Sequence, residues 1–372
     1  MMNDLSDAFA KKVCEERGME AHNINAKNAL HFALKITHKP VFIALLDAGA
    51  NVNDVFEGET PLHIAVQRNF LEAVALLLEK GADSNKTASI YFSAEKLFSG
   101  WLNSNAQPDM DYTGDWNIHG YTPLHFAASR NNIEIVKLLL KFKANVHIVD
   151  KDGWTPLHLA SDLGHKDVVK LLLDHNANVN ARCNRKIVIN ADNPRGTNYS
   201  GRTSLHLAAL CNRKDIIDIL LNKGADIDAP DYRSWTALHI ACYYGYFEIA
   251  QLLLDRGANM EAEGHERWRP LHEACSQGNT EIVKLLVGRG ADIEATKTWG
   301  DTPLHWAIWH GHLETVKALV ELGADIFVED DKGHAAIRKA QMKDYPDIIA
   351  YLLELCWSKN SLENHIICMN HF

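Results

Sequence analysis

Two pairs of residues have the donor chemistry of a metal site. His239-x-x-Cys242 recurs as His272-x-x-Cys275, and two imidazoles with two thiolates make a tetrahedral set that zinc accepts. A second group, Asp109, Asp111, Asp115 and His119, gathers carboxylates and an imidazole, the side chains of general acid and base work, but at no recognisable catalytic spacing. The chain has no G-x-x-x-x-G-K-[ST] phosphate loop, no H-E-x-x-H, no G-x-S-x-G, no G-x-G-x-x-G and no C-x-x-C. What the two His/Cys pairs can do depends on the elements that carry them.

Those elements repeat. Thr60-Pro61-Leu62-His63 returns as Thr122-Pro123-Leu124-His125, Thr155-Pro156-Leu157-His158 and Thr302-Pro303-Leu304-His305, with degenerate copies starting at Asn28, Thr203, Thr236, Arg269 and Ala335. The period is about 33 residues, broken by two insertions of about 29 and about 15. In each unit a Gly such as Gly153 permits a tight turn, Thr155 can cap a helix start, and Pro156 fits the first turn, where a missing N–H costs nothing. Leu157 and Ala160 give a short inward face. After a break at Gly164, Val168, Val169, Leu171, Leu172 and Leu173 mark a second amphipathic helix, and Asn176 takes the left-handed stop that Gly81, Gly224, Gly257, Gly290 and Gly323 take elsewhere. Helices this short cannot bury an apolar face alone, so the core must come from stacking.

A Thr-Pro-Leu-His-x-Ala motif recurring in register resembles the ankyrin-repeat family. The resemblance covers roughly 28–357 and implies an all-α fold, an ankyrin-repeat solenoid of helix-turn-helix units with short β-turn fingers. Residues 1–27 are expected to form an N-terminal helical cap, 28–357 the solenoid with insertions near 86–116 and 184–198, and 358–372 a C-terminal tail. Asn28, Arg269 and Ala335 depart from the motif Thr, Lys143 stands in place of a helix-stopping Gly, and Arg338 replaces the last motif His. The resemblance also deflates the metal site. His239 and His272 become motif histidines that bond to backbone near the turn, and Cys242 and Cys275 fill a small buried position held by Ala128, Ser161 and Ala209 in other units. No metal and no cofactor is expected.

Composition narrows the class. A net charge of -10 argues against nucleic acid as a partner, because phosphate binding draws on clustered Lys and Arg. Seven scattered cysteines suit a reducing compartment, and no apolar run has signal-peptide or bilayer length. A cytoplasmic setting without membrane insertion is expected, with the nucleus or a host-cell cytosol left open.

In the family, partners meet the concave side, at the turn positions before the Thr and at the ends of the first helices. Here these positions are rich in aromatics: Tyr121, Trp154, Trp235, Tyr243, Tyr244, Trp268, Trp299 and Trp309, with His310 beside the last. Such rings supply rigid contact area with a polar handle. The expected function is a non-enzymatic scaffold binding an unidentified protein or peptide, against the bland alternative that the rings only stiffen the stack. Trp306, read as filling the Leu position of its motif, is expected in the core. The first insertion carries a short expected helix, Ser93 to Trp101, and the second is locally basic around Arg182, Arg185, Lys186, Arg195 and Arg202. The two insertions could wall a second groove floored by Tyr121, Arg130, Trp154, Asp162 and Leu163. Asn53, Asn85 and Asn180 stand where some family members are hydroxylated, though a turn role is the expectation. A substrate-recruiting adaptor, as in a ubiquitin ligase, is an alternative; 358–372 shows no F-box-like or SOCS-box-like segment. A microbial effector acting on host proteins is another, and an enzyme with its site in 86–116 the last.

Overall fold

The computed structural model describes residues 28–92, 116–184 and 200–358. The expected cap, the helix over 93–101, Asp109, Asp111 and Asp115, most of the second insertion and nearly all of the tail lie outside the described residues. The chain forms two compact units, 1–200 and 201–372.

In the first unit, helices come in pairs: α1 Ala29–Lys35 with α2 Lys39–Asp47, α3 Pro61–Gln67 with α4 Leu71–Glu79, α5 Pro123–Ser129 with α6 Ile133–Lys141, and α7 Pro156–Leu163 with α8 Lys166–Asp174. The second unit continues with α9 Ser204–Leu210 and α10 Lys214–Asn222, α11 Ala237–Tyr244 and α12 Phe247–Asp255, α13 Pro270–Ser276 and α14 Thr280–Gly288, α15 Pro303–Trp309 and α16 Leu313–Glu321, and α17 Ala336–Met342 and α18 Pro346–Ser358. Within each unit the first helices pack on the first helices of neighbouring pairs, and the second helices pack outside them. Leu62, Ala65, Leu124, Ala127, Leu238, Ala241, Leu304 and Ala307 lie in that stack, buried as their inward spacing requires.

The Thr/His motif is a hydrogen-bond device. Thr60 N–H donates to His63 Nδ1 (3.2 Å), and His63 N–H donates back to Thr60 Oγ1 (3.4 Å), so two orphan amides of the helix start are satisfied reciprocally. Because Nδ1 accepts, the ring proton sits on Nε2, which donates to the carbonyl of Tyr121 in the following finger at 3.2 Å. The same reach links His125 to Trp154, His206 to Trp235 and His239 to Trp268. A local cap thereby also ties one pair of helices to the next. Arg269 has no acceptor to offer its helix; it keeps the N–H bond to His272 Nδ1 (3.3 Å) and places its guanidinium on Glu261 at 2.7 Å.

A second ladder runs along the finger bases. Asn53 Oδ1 accepts from Asp83 N–H (2.8 Å), Asn85 Oδ1 from Asn145 N–H (2.7 Å), Glu261 Oε1 from Asp292 N–H (2.9 Å) and Glu294 Oε1 from Asp325 N–H (2.7 Å). Asn53 and Asn85 therefore have the structural turn role expected of them. Lys143 and Asn176 adopt φ of 61° and 64°, so both serve as left-handed helix stops in place of Gly.

Two features depart from the sequence reading. The ends of the first insertion pair as an antiparallel ribbon, β1 Ala88–Phe92 against β2 Trp116–Tyr121, and Ser89 N–H joins it to Gly58 O of the preceding finger at 2.9 Å. Cys356 is disulfide-bonded, which scattered thiols did not foretell.

Candidate protein-binding site

Of the nine residues expected at the site, two lie in the first unit and seven in the second. In the first unit, Tyr121 lies stacked on His125 (centroids 5.2 Å) and edge-on to Phe126, and Trp154 is buried with 7% of its surface exposed. Both rings are used up inside the unit, and Trp154 has little surface to offer a partner.

The other seven lie in the second unit, in two groups. Trp235 stacks on its own motif histidine, His239 (6.2 Å, 12° between planes), and meets Tyr243 at 5.5 Å. Tyr243 meets Tyr244 edge-on at 5.0 Å, and Tyr244 remains 44% exposed. Further along, Trp268 lies 4.6 Å from Trp306, His310 is exposed with its ring 5.5 Å from Trp306, and Trp309 carries the Lys343 ammonium 3.7 Å from its centroid. Trp299 projects most, at 61% exposed.

Trp306 corrects the sequence reading. It is half-buried rather than in the core: Ile64, Phe126, Leu207 and Ile240 are buried at the same position, but the larger indole packs on Trp268 and Lys297 and keeps part of its surface. That row runs Ile64, Phe126, Leu159, Leu207 and Ile240, then changes character to Glu273, Trp306 and Lys339.

The fingers change at the same place. In an ordinary finger an Asp side chain braces the turn: Asp231 Oδ1 accepts from Arg233 N–H (2.7 Å) and Trp235 N–H (3.0 Å), and Asp330 Oδ1 accepts from Lys332 N–H (2.8 Å) and His334 N–H (2.9 Å). The two fingers between carry Gly264 and Lys297 instead. Without the Asp brace, they hold Glu266 and Trp299 at φ of 57° and 83°, a position that is not left-handed in the two braced fingers. A bulky ring at positive φ is costly, and such strain concentrates where a side chain must be presented. Lys297, 6% exposed, lies over the rings of Trp306 (4.5 Å) and Trp268 (5.1 Å) and 3.6 Å from Glu266.

Between Trp299, Trp306, Trp309 and Met342 opens a cavity of about 340 Å³, floored by Asp301, Asp330 and Lys339. Lys339 Nζ sits 2.7 Å from Asp301 and 2.6 Å from Asp330. Burial pulls its ammonium toward neutrality, but the two carboxylates together outweigh burial and raise its pKa. Asp330 is held well below the usual carboxylate range, its burial outweighed by Lys339 and the two finger amides. On the floor, Lys339 and Asp330 thus each favour the other's charged form. Sequence spacing could have flagged Lys339 as a charge in an apolar row, but not its two partners.

The two His/Cys pairs hold a different kind of site from the one their donor set suggests. His239 has Nδ1 on Thr236 and Nε2 on the Trp268 carbonyl (3.1 Å), burial pushes its pKa down to about 4, and burial pushes the Cys242 and Cys275 thiols up. Among the described residues no group of three or more His, Cys, Asp or Glu is placed to hold a metal ion.

The family model described as ankyrin repeats (3 copies) matches residues 3–88, 94–183, 185–264 and 262–330. The chain belongs to the ankyrin-repeat family. Its repeats are 32% identical over 128 residues to the mouse B-cell lymphoma 3 protein homolog, covering 32% of this chain and 28% of that protein. They are 31% identical over 131 residues to human neurogenic locus notch homolog protein 2, covering 33% of this chain and 5% of the relative. Over 100 residues they are 31% identical to bovine ankyrin repeat and SOCS box protein 3, covering 26% and 19%. The chain therefore spans less than a third of the length of each of these relatives. Among the described residues no helix is long and apolar enough to cross a membrane.

Proposed function

We propose that the chain is a non-enzymatic scaffold that holds a partner protein or peptide on the finger and first-helix face of 201–358. Ankyrin repeats are in general protein-interaction modules, and the observation that carries the reading to this face is Trp299, held out at positive φ beside the cavity of about 340 Å³. A preformed surface loses little entropy on binding, and large exposed rings are the residues that dominate interface energetics. Tyr244 and Trp299 would anchor the partner, with Trp309 lining the cavity and exposed His310 next to it in sequence. Trp235 and Trp268 support them from beneath.

The likeness to an ankyrin repeat and SOCS box protein favours a second reading within the same class, a substrate-recruiting adaptor of a larger complex. For a cytoplasmic setting the thiols of Cys242 and Cys275 speak in favour and the disulfide at Cys356 against. The test is quantitative affinity capture from extract with the wild-type chain and a Tyr244→Ala, Trp299→Ala variant whose circular dichroism is unchanged. Loss of specific proteins with the variant supports the reading; an identical captured set overturns it.

A further inference from the structure

The cavity between Trp299, Trp309 and Met342 holds one carboxylate that the fold does not use. Three carboxylates line it, Asp301, Asp330 and Asp331, against the ammoniums of Lys332 and Lys339. Asp301 and Asp330 share Lys339, and Asp330 also braces its finger. Asp331 is exposed, and its carboxylate makes no hydrogen bond and no ion pair. Tyr232, His265 and Thr298 hold the same place in the three fingers before it, so the negative charge is a departure of this finger. Backbone contacts set where it sits. Asp331 N–H donates to the Trp299 carbonyl at 3.1 Å, which holds the two residues side by side across neighbouring fingers. Gly300 has φ of 72°, and a Cβ there would lie 2.7 Å from Asp331 Oδ1, so the carboxylate lies against the turn that carries Trp299.

The ring on that turn is also unused. Trp306 and Trp309 each carry one of the chain's own cations, Lys297 and Lys343, but among the described residues no cation lies over Trp299 and no other ring touches it. Lys332, at the same cavity, holds no ion pair and covers no ring, so Trp299 and Asp331 stay open together. The walls beside them, Trp309 and the exposed Met342, are apolar. A purely apolar guest would take the Asp331 carboxylate out of water without a partner, which is costly. A guanidinium uses every feature: its plane stacks on an indole, its forked donors match a carboxylate, and its methylene stem covers apolar surface. The compact, strongly hydrated ammonium of lysine lacks the plane and the fork. The volume, about 340 Å³, is at the low end of the range for small-molecule sites and suits one long side chain.

We propose that this cavity takes an arginine side chain of the bound partner, its guanidinium stacked on Trp299 and paired with Asp331 while its stem lies along Met342 and Trp309. This rests on the binding face proposed above and names the chemistry of its ligand. The net charge of -10 is complementary to such a partner. The positive φ of Trp299 then has a purpose, since it presents the ring beside the one carboxylate of the cavity that is left unpaired.

The test uses the full chain with its tryptophan indole N–H groups observed by NMR. It is titrated with the Nα-acetyl methylamides of arginine, citrulline, lysine and leucine; citrulline keeps the shape of arginine without its charge. The expected result is saturable shifts of the Trp299 and Trp309 signals with arginine, tighter than with any other guest. Binding should weaken about tenfold in Asp331→Asn and, read at Trp309, in Trp299→Ala. Both side chains are exposed, and an unchanged circular dichroism spectrum confirms that the variants keep the fold. Citrulline or leucine binding as well as arginine would overturn the charge pairing, and lysine binding as well would overturn the guanidinium. Undiminished arginine binding in either variant, or no shift with arginine, also overturns the subsite. Failure of the face itself shows separately, in an unchanged captured set with Tyr244→Ala, Trp299→Ala.

Discussion

Glu273→Gln is expected to stabilise the fold, and to do so most at high pH. The exchange replaces one carboxylate oxygen by an amide group and leaves the shape of the side chain intact. Burial raises the Glu273 pKa from the ordinary 4.5 to about 8, with Arg233 and Lys297 offsetting only part of the effect. The unfolded chain then holds fewer protons than the folded one between those values, so stability falls as pH rises through that window and levels off above it. Relative to a side chain that never ionises, the cost is about 4 kcal/mol at pH 7.5 and about 1.4 kcal/mol at pH 5.5. Burying the glutamine amide without a partner takes back about 1 kcal/mol. The net expectation is a gain of about 3 kcal/mol at pH 7.5 that shrinks to almost nothing at pH 5.5. Urea unfolding followed by circular dichroism at the two pH values, wild type against variant, measures the difference, and the motif histidines cancel because both proteins carry them. A variant that is less stable at both pH values, or a difference that does not move with pH, would mean that Glu273 is ionised and paired in the fold.

Three further outcomes are expected. His63, His125, His239, His272 and His305 are each pushed down to about 4 by burial, so the unfolded chain takes up protons first as pH falls below about 6.5. In the Glu273→Gln background, lowering the pH from 7.5 to 5.5 should cost about 1.3 kcal/mol per histidine, read from urea midpoints; a flat profile refutes the neutral caps. Lys339→Met leaves Asp301 and Asp330 buried without their cation and should destabilise the protein by about 3 kcal/mol in the same assay, while adding Asp301→Asn should recover part of the loss. Trp299→Ala, at a side chain mostly in solvent, should change stability by less than about 0.5 kcal/mol yet weaken a captured partner by about 2 kcal/mol in calorimetry.

What could be read from the chain followed from distance along it. Thr60, Pro61 and His63 act within one turn, so their spacing announces both the helix start and its cap. Arg269 was visible as a departure, and its new bonds to Glu261 and Glu263 are also local. Glu273, Lys297 and Lys339 were equally visible as charges out of place, but what decides their roles comes from the next unit or from no partner at all. Trp306 stands at a position that is buried as Ile64, Phe126, Leu207 and Ile240, and only its packing on Trp268 and Lys297 shows that the larger ring keeps part of its surface. The ribbon had a signal in Ile90, Tyr91 and Phe92, but its partner strand lies across the insertion, at a distance no local pattern reports. The aromatic face was legible as composition, but its division was not: Trp154 and Trp299 look alike in sequence, and only packing makes one a strut and the other a surface.

If partners meet the finger and first-helix face of the second unit, a reactive group placed on that face should reach them. The most direct test is site-specific photo-crosslinking in extract, with p-benzoylphenylalanine placed at Trp299 on that face or at Lys284 on the exposed side of α14. Discrete protein adducts from position 299 and none from position 284 are the expected result. Adducts from 284 with none from 299 would place recognition on the outer helices and contradict the claim.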